Sequence, residues 1–228
     1  MAGNSGPDIV DNGLMLKLDA ANNKSYPDSG TVWNDLSGNS NHATLINGPT
    51  FNTDDSGYII LDGTNDSINC GVIKPTGAMT ISTWFRAGLW VHSQAAGRGG
   101  TAGYRLSVSD GGSTPYHYFE VAVSTSTTFK TFDNVAASDS IWNNVVGVFI
   151  PSGQAGASIT LYKNGIQISQ NTTSPPSAQY DNGAPTIIGA DSRPVSRPGK
   201  MAEISIYNRA LTQPEILKNF NAIKNRYI

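Results

Sequence analysis

Glutamate is scarce in this chain, at Glu120, Glu203 and Glu215, and that scarcity bounds the chemistry first. Cleavage of a glycosidic bond needs two carboxyl groups facing each other across it, about 5 to 9 Å apart. On a strand such a pair sits at i and i+2, where side chains share a face. No Glu-x-Asp-x-x-Glu run occurs, Glu120 stands alone in its strand, and Glu215 occupies the position of a helix cap. Polysaccharide cleavage is therefore not expected. His42, His92 and His117 lack metal-ligand spacing, and no serine sits in a nucleophile-elbow context. A hydrolytic triad is not expected either, and the chain reads as a non-enzyme.

Binding chemistry is better represented. A sugar site needs aromatic faces to stack on pyranose rings, with amide, carboxylate or guanidinium groups for the hydroxyls. Trp84 and Trp142 lie in apolar strand contexts and read as core, sealed between sheets, while Trp33 reads as packing beneath the Asp35-Leu36-Ser37-Gly38 turn. That leaves Trp90, His92 and Arg98 in one Gly-rich stretch, and Tyr116, His117 and Tyr118 after Asp110-Gly111-Gly112. Two readings of these six stay open: a shallow carbohydrate platform, or side chains that pack loops onto the body or fill an interface with another subunit. Arg193, Arg197 and Lys200 cluster beside Pro194 and Pro198, as a solvated loop or as a contact for an acidic surface. Three Asn-x-Ser/Thr sequons, at Asn23, Asn65 and Asn171, read as chance matches.

The elements that must position these groups are strands. Charged residues make up 14% of the 228 residues, against about 25% in a typical domain. Runs with alternating or continuous apolar character recur between turn residues: Leu14 to Asp19, Tyr58 to Leu61, Met79 to Phe85, Tyr104 to Val108, Phe119 to Val123, Val145 to Phe149 and Ile159 to Tyr162. Such spacing fits a sandwich better than a parallel sheet with crossover helices. Asn164-Gly165, between Leu161-Tyr162-Lys163 and Ile166-Gln167-Ile168, predicts a tight hairpin, because Asn-Gly accepts the positive φ angles of a type I′ turn. One helix is expected over about 212–225. Thr212-Gln213-Pro214-Glu215 matches a capping box, and Ile216, Phe220 and Ile223 give an apolar stripe. The stripe packs on the sandwich or docks on a neighbouring subunit. Residues 87–102 and 169–184 read as long loops, the first of them mobile.

The formal net charge is −2 with no long run of either sign, so no phosphate-gripping surface is expected and nucleic acid is excluded as a partner. No apolar stretch approaches the length of a membrane helix, and the N-terminus lacks a signal-peptide pattern. The single cysteine, Cys70, excludes an internal disulfide and reads as a small strand residue. One domain is expected over 13–228, preceded by an arm at 1–12.

Gly13-Leu14-Met15-Leu16-Lys17-Leu18-Asp19-Ala20-Ala21-Asn22, Ser25-Tyr26-Pro27, Gly30-Thr31-Val32-Trp33-Asn34-Asp35-Leu36-Ser37-Gly38-Asn39 and Leu61-Asp62-Gly63-Thr64-Asn65-Asp66 together resemble laminin-G-like, concanavalin A-like domains of the kind found in tailed-phage structural proteins. Glu203 to Thr212, followed by Glu215-Ile216, is similar to the closing strand and helix of the same family. The resemblance implies an all-β, two-sheet antiparallel jelly-roll sandwich with a short C-terminal helix. It further implies a virion structural protein, a capsid decoration or tail-associated module, at the virion surface. Its partners would be other virion proteins and host surface glycans, with a homo-oligomer among the options. The alternative is a carbohydrate-binding or carbohydrate-cleaving module of a cellular or secreted enzyme, extracellular or at the cell surface. A chain running from Met1 to a capped helix without a catalytic partner domain favours the virion. The resemblance also implies a structural Ca2+, with Asp62, Asn65, Asp66 and Glu203 as candidate ligands. Against it stands Ala202, where many relatives carry an acidic residue. The competing reading is that Asp62 to Asp66 forms a turn and Glu203 pairs with Arg209 or Lys200.

Overall fold

The computed structural model describes residues 8–87, 90–93, 103–108, 116–124, 127–133, 140–180, 183–189 and 198–228. In chain order the strands are β1 (Leu14–Asp19), β2 (Val32–Trp33), β3 (Ala43–Ile46), β4 (Thr50–Asn52), β5 (Tyr58–Leu61), β6 (Ser67–Asn69), β7 (Met79–Ala87) and β8 (Trp90–Ser93). They continue as β9 (Tyr104–Val108), β10 (His117–Ala122), β11 (Thr128–Phe132), β12 (Asn143–Ile150), β13 (Ser158–Lys163), β14 (Ile166–Asn171), β15 (Thr186–Gly189) and β16 (Gly199–Tyr207). Helix α1 (Gln213–Ile223) follows, closed by a 3-10 turn at Lys224–Arg226. No helix among the described residues is long and apolar enough to cross a membrane.

The strands form two antiparallel sheets. The first runs β14-β13-β12-β7-β16-β5-β4, and the second β11-β10-β9-β8-β15-β6-β3-β2. In the first sheet β16 shares one edge between two partners, β5 along Gly199–Met201 and β1 along Glu203–Tyr207. The register slips between Met201 and Glu203, and there the Ala202 carbonyl accepts the Ala20 N–H at 2.9 Å.

Period-two alternation decides which side chains meet. Leu16, Leu18, Ile81, Phe85, Ile204 and Ile206 from the first sheet and Leu106, Phe119, Val121 and Ile188 from the second share one buried cluster between the sheets. Burying side chains of this size stabilises the fold by about 1.5 to 3 kcal/mol each. Gly147 faces the second sheet, and a Cβ there would overlap the Phe119 ring. Asn164 (φ 51) and Gly165 (φ 79) turn β13 into β14 as the sequence predicts.

Trp84 and Trp142 are buried, at 1% and 4% exposure, but not between the sheets. The alternation that points Ile81 and Phe85 inward turns Trp84 outward, where α1 covers the first sheet. Its ring stacks on Phe220 at 5.7 Å and 5°, and Trp142 meets Tyr227 at 5.0 Å. The apolar stripe of Ile216, Phe220 and Ile223 thus packs against the sandwich. Residues 8–12 of the expected arm join this layer. Val10 N–H donates to Asn219 Oδ1 at 2.8 Å, Tyr207 Oη donates to the Val10 carbonyl at 3.0 Å, and Arg209 Nε donates to the Asn12 carbonyl at 2.8 Å. The stretch expected to be one long loop, 87–102, contains β8, and β14 extends into the second expected loop as far as Asn171. Cys70 follows β6, is 1% exposed, and its thiol pKa is pushed up to about 12 by burial.

Candidate functional site

Helix α1 covers part of the outer face of the first sheet, and the outer face of the second, which no helix covers among the described residues, is read first. Inward residues Leu106, Phe119, Val121 and Phe129 fix the phase on β9, β10 and β11, and the residues between them on these three strands point outward. Backbone register aligns them in cross-strand rows. One row runs Trp90, Ser107, Tyr118, Phe132. The next crosses the whole sheet as Val32, Thr44, Asn69, Ile187, His92, Arg105, Glu120, Lys130.

At the β9–β11 end of these rows the side chains form a compact group. Arg105 and Glu120 pair as opposed residues with side chains 17% and 6% exposed. The Arg105 guanidinium lies 4.9 Å from the Tyr118 ring centre, close enough for a cation–π attraction. Tyr116 packs against Tyr118 at 6.4 Å and against Phe132 at 5.3 Å. Phe132 is 43% exposed, which makes it the most open ring of the group. An exposed aromatic beside a fixed donor and acceptor matches an amphipathic ligand with one C–H face and hydroxyls around it, which is a pyranose.

The six expected sugar contacts divide accordingly. Tyr116 and Tyr118 belong to the group. Trp90 and His92 lie on strand β8 rather than in a loop, their backbone paired with Ser107 and Arg105. Arg98 lies outside the described residues. His117 is corrected: it faces the interior with 0% exposure, its Nδ1 lies 3.0 Å from Asp133 Oδ2, and its ring approaches Phe85 at 6.0 Å. It shares the inward phase of Phe119 and cannot reach a ligand on the outer face. Sequence reading missed Arg105, Glu120 and Phe132. The signal was present in Tyr104-Arg105-Leu106-Ser107-Val108, whose alternation marks Arg105 as outward once the strand is accepted.

The four candidate Ca2+ ligands are not brought together. Asp62 follows Leu61, the partner of Gly199, whereas Glu203 lies four residues farther along β16, about 13 Å away. Asp62 Oδ1 accepts the Thr64 N–H at 2.7 Å and, more loosely, the N–H groups of Asn65 and Asp66, while Asp66 Oδ2 accepts the Asp62 N–H at 3.0 Å. The Thr64 N–H above all holds the Asp62 carboxyl below its ordinary range, and burial raises that of Asp66. These oxygens meet donors where a cation would need lone pairs, so the residues form a turn and do not fit the ion. Glu203 pairs with Lys17 of β1, not with Arg209 or Lys200, and also accepts Ser205 Oγ at 3.1 Å. Arg209 pairs with Glu215 at 2.7 Å. No group of three or more His, Cys, Asp or Glu able to hold a metal occurs among the described residues. Of the basic cluster, Lys200 lies on β16, while Arg193 and Arg197 lie outside the described residues.

A laminin-G family model, described as the concanavalin A-like lectin/glucanases superfamily, matches residues 54–217. No curated protein matches the chain by sequence. Among solved structures, the binding domain of Paraclostridial Mosquitocidal Protein 1 is similar at TM-score 0.70 and 19% identity, over 93% of this chain and 52% of that one. The binding domain of botulinum neurotoxin DC in complex with SialylT is similar at TM-score 0.69 and 12% identity, over 93% and 52%. The serotype D ligand-binding domain in complex with N-acetylneuraminic acid gives 0.67 and 12%, over 93% and 51%. The chain spans about half the length of these structures.

Proposed function

This chain belongs to the concanavalin A-like lectin/glucanases superfamily, and from that premise we propose that it is a non-catalytic recognition module that holds surface glycans on the outer face of its second sheet. The observation that carries the reading is the Tyr116–Tyr118–Phe132 ring group, with Phe132 open to solvent beside the Arg105–Glu120 pair. A stacked ring and a fixed polar pair bind a sugar weakly, as a shallow site does. Against catalysis, Glu120 is committed to Arg105 and has Lys130 opposite it on the other side. Its cross-strand row supplies no second carboxylate, and glycoside cleavage needs two.

The setting we propose is a particle surface, with the chain a virion structural component, a capsid decoration or a tail-associated module. The motifs from Gly13 to Asp66 and the closing segment from Glu203 support it by resemblance, and many copies on one particle would convert weak sites into avidity. Structures of similar fold that belong to larger toxins, including one bound to N-acetylneuraminic acid, favour a second reading: the same sugar-binding unit within a longer extracellular protein. A glycan array with the parent protein and Phe132→Ala tests the site. The parent is expected to hold a subset of glycans, and the variant to lose at least tenfold in affinity while keeping its melting temperature. A parent that holds no glycan removes the proposal. Mass spectrometry of purified phage particles tests the setting, and absence of the chain from them refutes it.

A further inference from the structure

Directly opposed residues on adjacent antiparallel strands have Cβ atoms about 5 Å apart, and like charges there weaken the pairing. In the first sheet Arg86 of β7 lies directly opposite Lys200 of β16. Both point outward, because the adjoining opposed pair, Phe85 and Met201, is buried in the core between the sheets. On the other side of Lys200 the row continues to Ile60 of β5, which is apolar, so the row itself supplies no compensating charge.

Among the described residues, the surroundings hold the two cations in place and set one carboxylate against them. Lys200 Nζ lies 4.8 Å from the Tyr58 ring centre and 3.3 Å from its hydroxyl, and Lys200 has no carboxylate partner among the described residues. Arg86 Nη1 lies 3.8 Å from Asp55 Oδ2. That same oxygen accepts Trp142 Nε1 at 2.9 Å, so a single carboxylate, divided between an indole and a guanidinium, stands against two positive charges. The chain as a whole carries a formal charge of −2, so this positive spot is local.

From this juxtaposition we infer that Arg86 and Lys200 form a second binding site, one that takes the anionic substituent of an acidic saccharide, a carboxylate or a sulfate ester. An anion seated between them cancels their mutual repulsion. The planar guanidinium offers it a fork of donors and the ammonium a point charge. The inference rests on the reading of the chain as a glycan binder and names the class of glycan. The site lies on the opposite sheet from Phe132, so the two can be tested apart.

The experiment measures binding to immobilised polygalacturonate, dextran sulfate and unmodified dextran for the parent, Arg86→Gln/Lys200→Gln, Asp55→Asn and Phe132→Ala, each checked for an unchanged melting profile. The parent is expected to hold at least one of the two anionic polymers in a salt-sensitive manner, and the polymer held identifies carboxylate or sulfate as the substituent. The double variant is expected to lose at least tenfold in affinity for it. Asp55→Asn keeps an acceptor for Trp142 and removes the competing charge, so it is expected to tighten binding severalfold, a gain that misfolding cannot imitate. Equal binding by the double variant, or a parent that holds neither anionic polymer, overturns the inference. Retention of neutral dextran through Phe132 with no preference for acid would do so while leaving the glycan reading intact. Conversely, anionic binding that depends on Arg86 and Lys200, with no effect of Phe132→Ala on any ligand, upholds this site and removes the one on the second sheet.

Discussion

Asp35 sits at the centre of the motif that carries the family resemblance, and its bonds explain why that motif tracks the fold. Oδ1 accepts the N–H groups of Lys17 and Ser37, each at 2.9 Å, and Oδ2 accepts Ser37 Oγ at 2.6 Å and Asn41 N–H at 3.0 Å. Its own N–H donates to His42 Nδ1 at 3.1 Å. Asn39 Nδ2 and Asn41 Nδ2 donate to the Met15 carbonyl, which also lies 3.0 Å from Ser37 Oγ. The segment from Asn34 to His42 is therefore stapled to β1, and its polar residues serve architecture. An unsatisfied buried donor costs about 1 to 3 kcal/mol, and such costs are not additive when groups share a network. Asp35→Ala is accordingly expected to lower stability by about 3 kcal/mol, seen as a fall in the urea midpoint with an unchanged slope. A loss under about 1 kcal/mol would show that water replaces the carboxylate. The motif's residue types were legible in the sequence, but its partners were not. Glu203 shows the same limit: sequence neighbours suggested Arg209 or Lys200, yet its cation is Lys17, 186 residues away in the chain.

Elements were legible where local pattern alone specifies them. β1 and β5 run over the residues that alternation and apolar content mark out, the hairpin turns at Asn164-Gly165, and α1 begins after Thr212. β2, β3, β4, β6 and β15 span two to four residues each, too short for a period to show. β8 lies in a Gly-rich stretch. Such strands exist because neighbours pair with them, and that information is non-local. The helix start, by contrast, is wholly local and can be tested by pH. Arg209 contacts Glu215 through both Nη atoms, and the Thr212 N–H donates to Glu215 Oε2 at 2.8 Å. The Arg209 hydrogen bonds above all lower the Glu215 pKa from 4.5 to about 2. A carboxyl whose pKa is lower in the folded state binds protons less well there. Its stabilisation is therefore present in full above the unfolded value and disappears as the pH falls through the folded one. The melting temperature of the parent is expected to exceed that of Glu215→Gln at pH 7, with the difference closing between about pH 5 and pH 2. A difference that persists at pH 2 would assign the effect to the geometry of the cap rather than to its charge.

At the scale of the whole molecule the two sheets are unequally covered, and the proposed Phe132 site lies on the sheet without a helix. The first sheet is covered inside by the second sheet and, over the part of its outer face beside Trp84, Trp142 and Tyr207, by α1, Ile9, Val10 and Tyr227, which leaves the Arg86–Lys200 end uncovered by the helix. Among the described residues the second sheet has no helix on its outer face, where Ser107, Tyr118 and Glu120 are buried and Phe132 is exposed. The sequence shows large aromatics in strands but not which layer seals them, since Trp84 and Phe85 are adjacent and alternation leaves the choice of face open. The buried side chains under α1 therefore tie the helix to the sheet independently of the sandwich interior. Phe220 is the test, since it is 9% exposed and stacked on Trp84, and removing a buried phenyl ring costs about 3 to 5 kcal/mol. Phe220→Ala is expected to lower the melting temperature and to shift tryptophan emission to the red as Trp84 meets water. Glycan binding at Phe132 is expected to stay within twofold below the melting transition, because that site shares no residue with the helix layer. Loss of binding in step with the emission change would show instead that the two faces are coupled, and that the covered sheet sets the geometry of the open one.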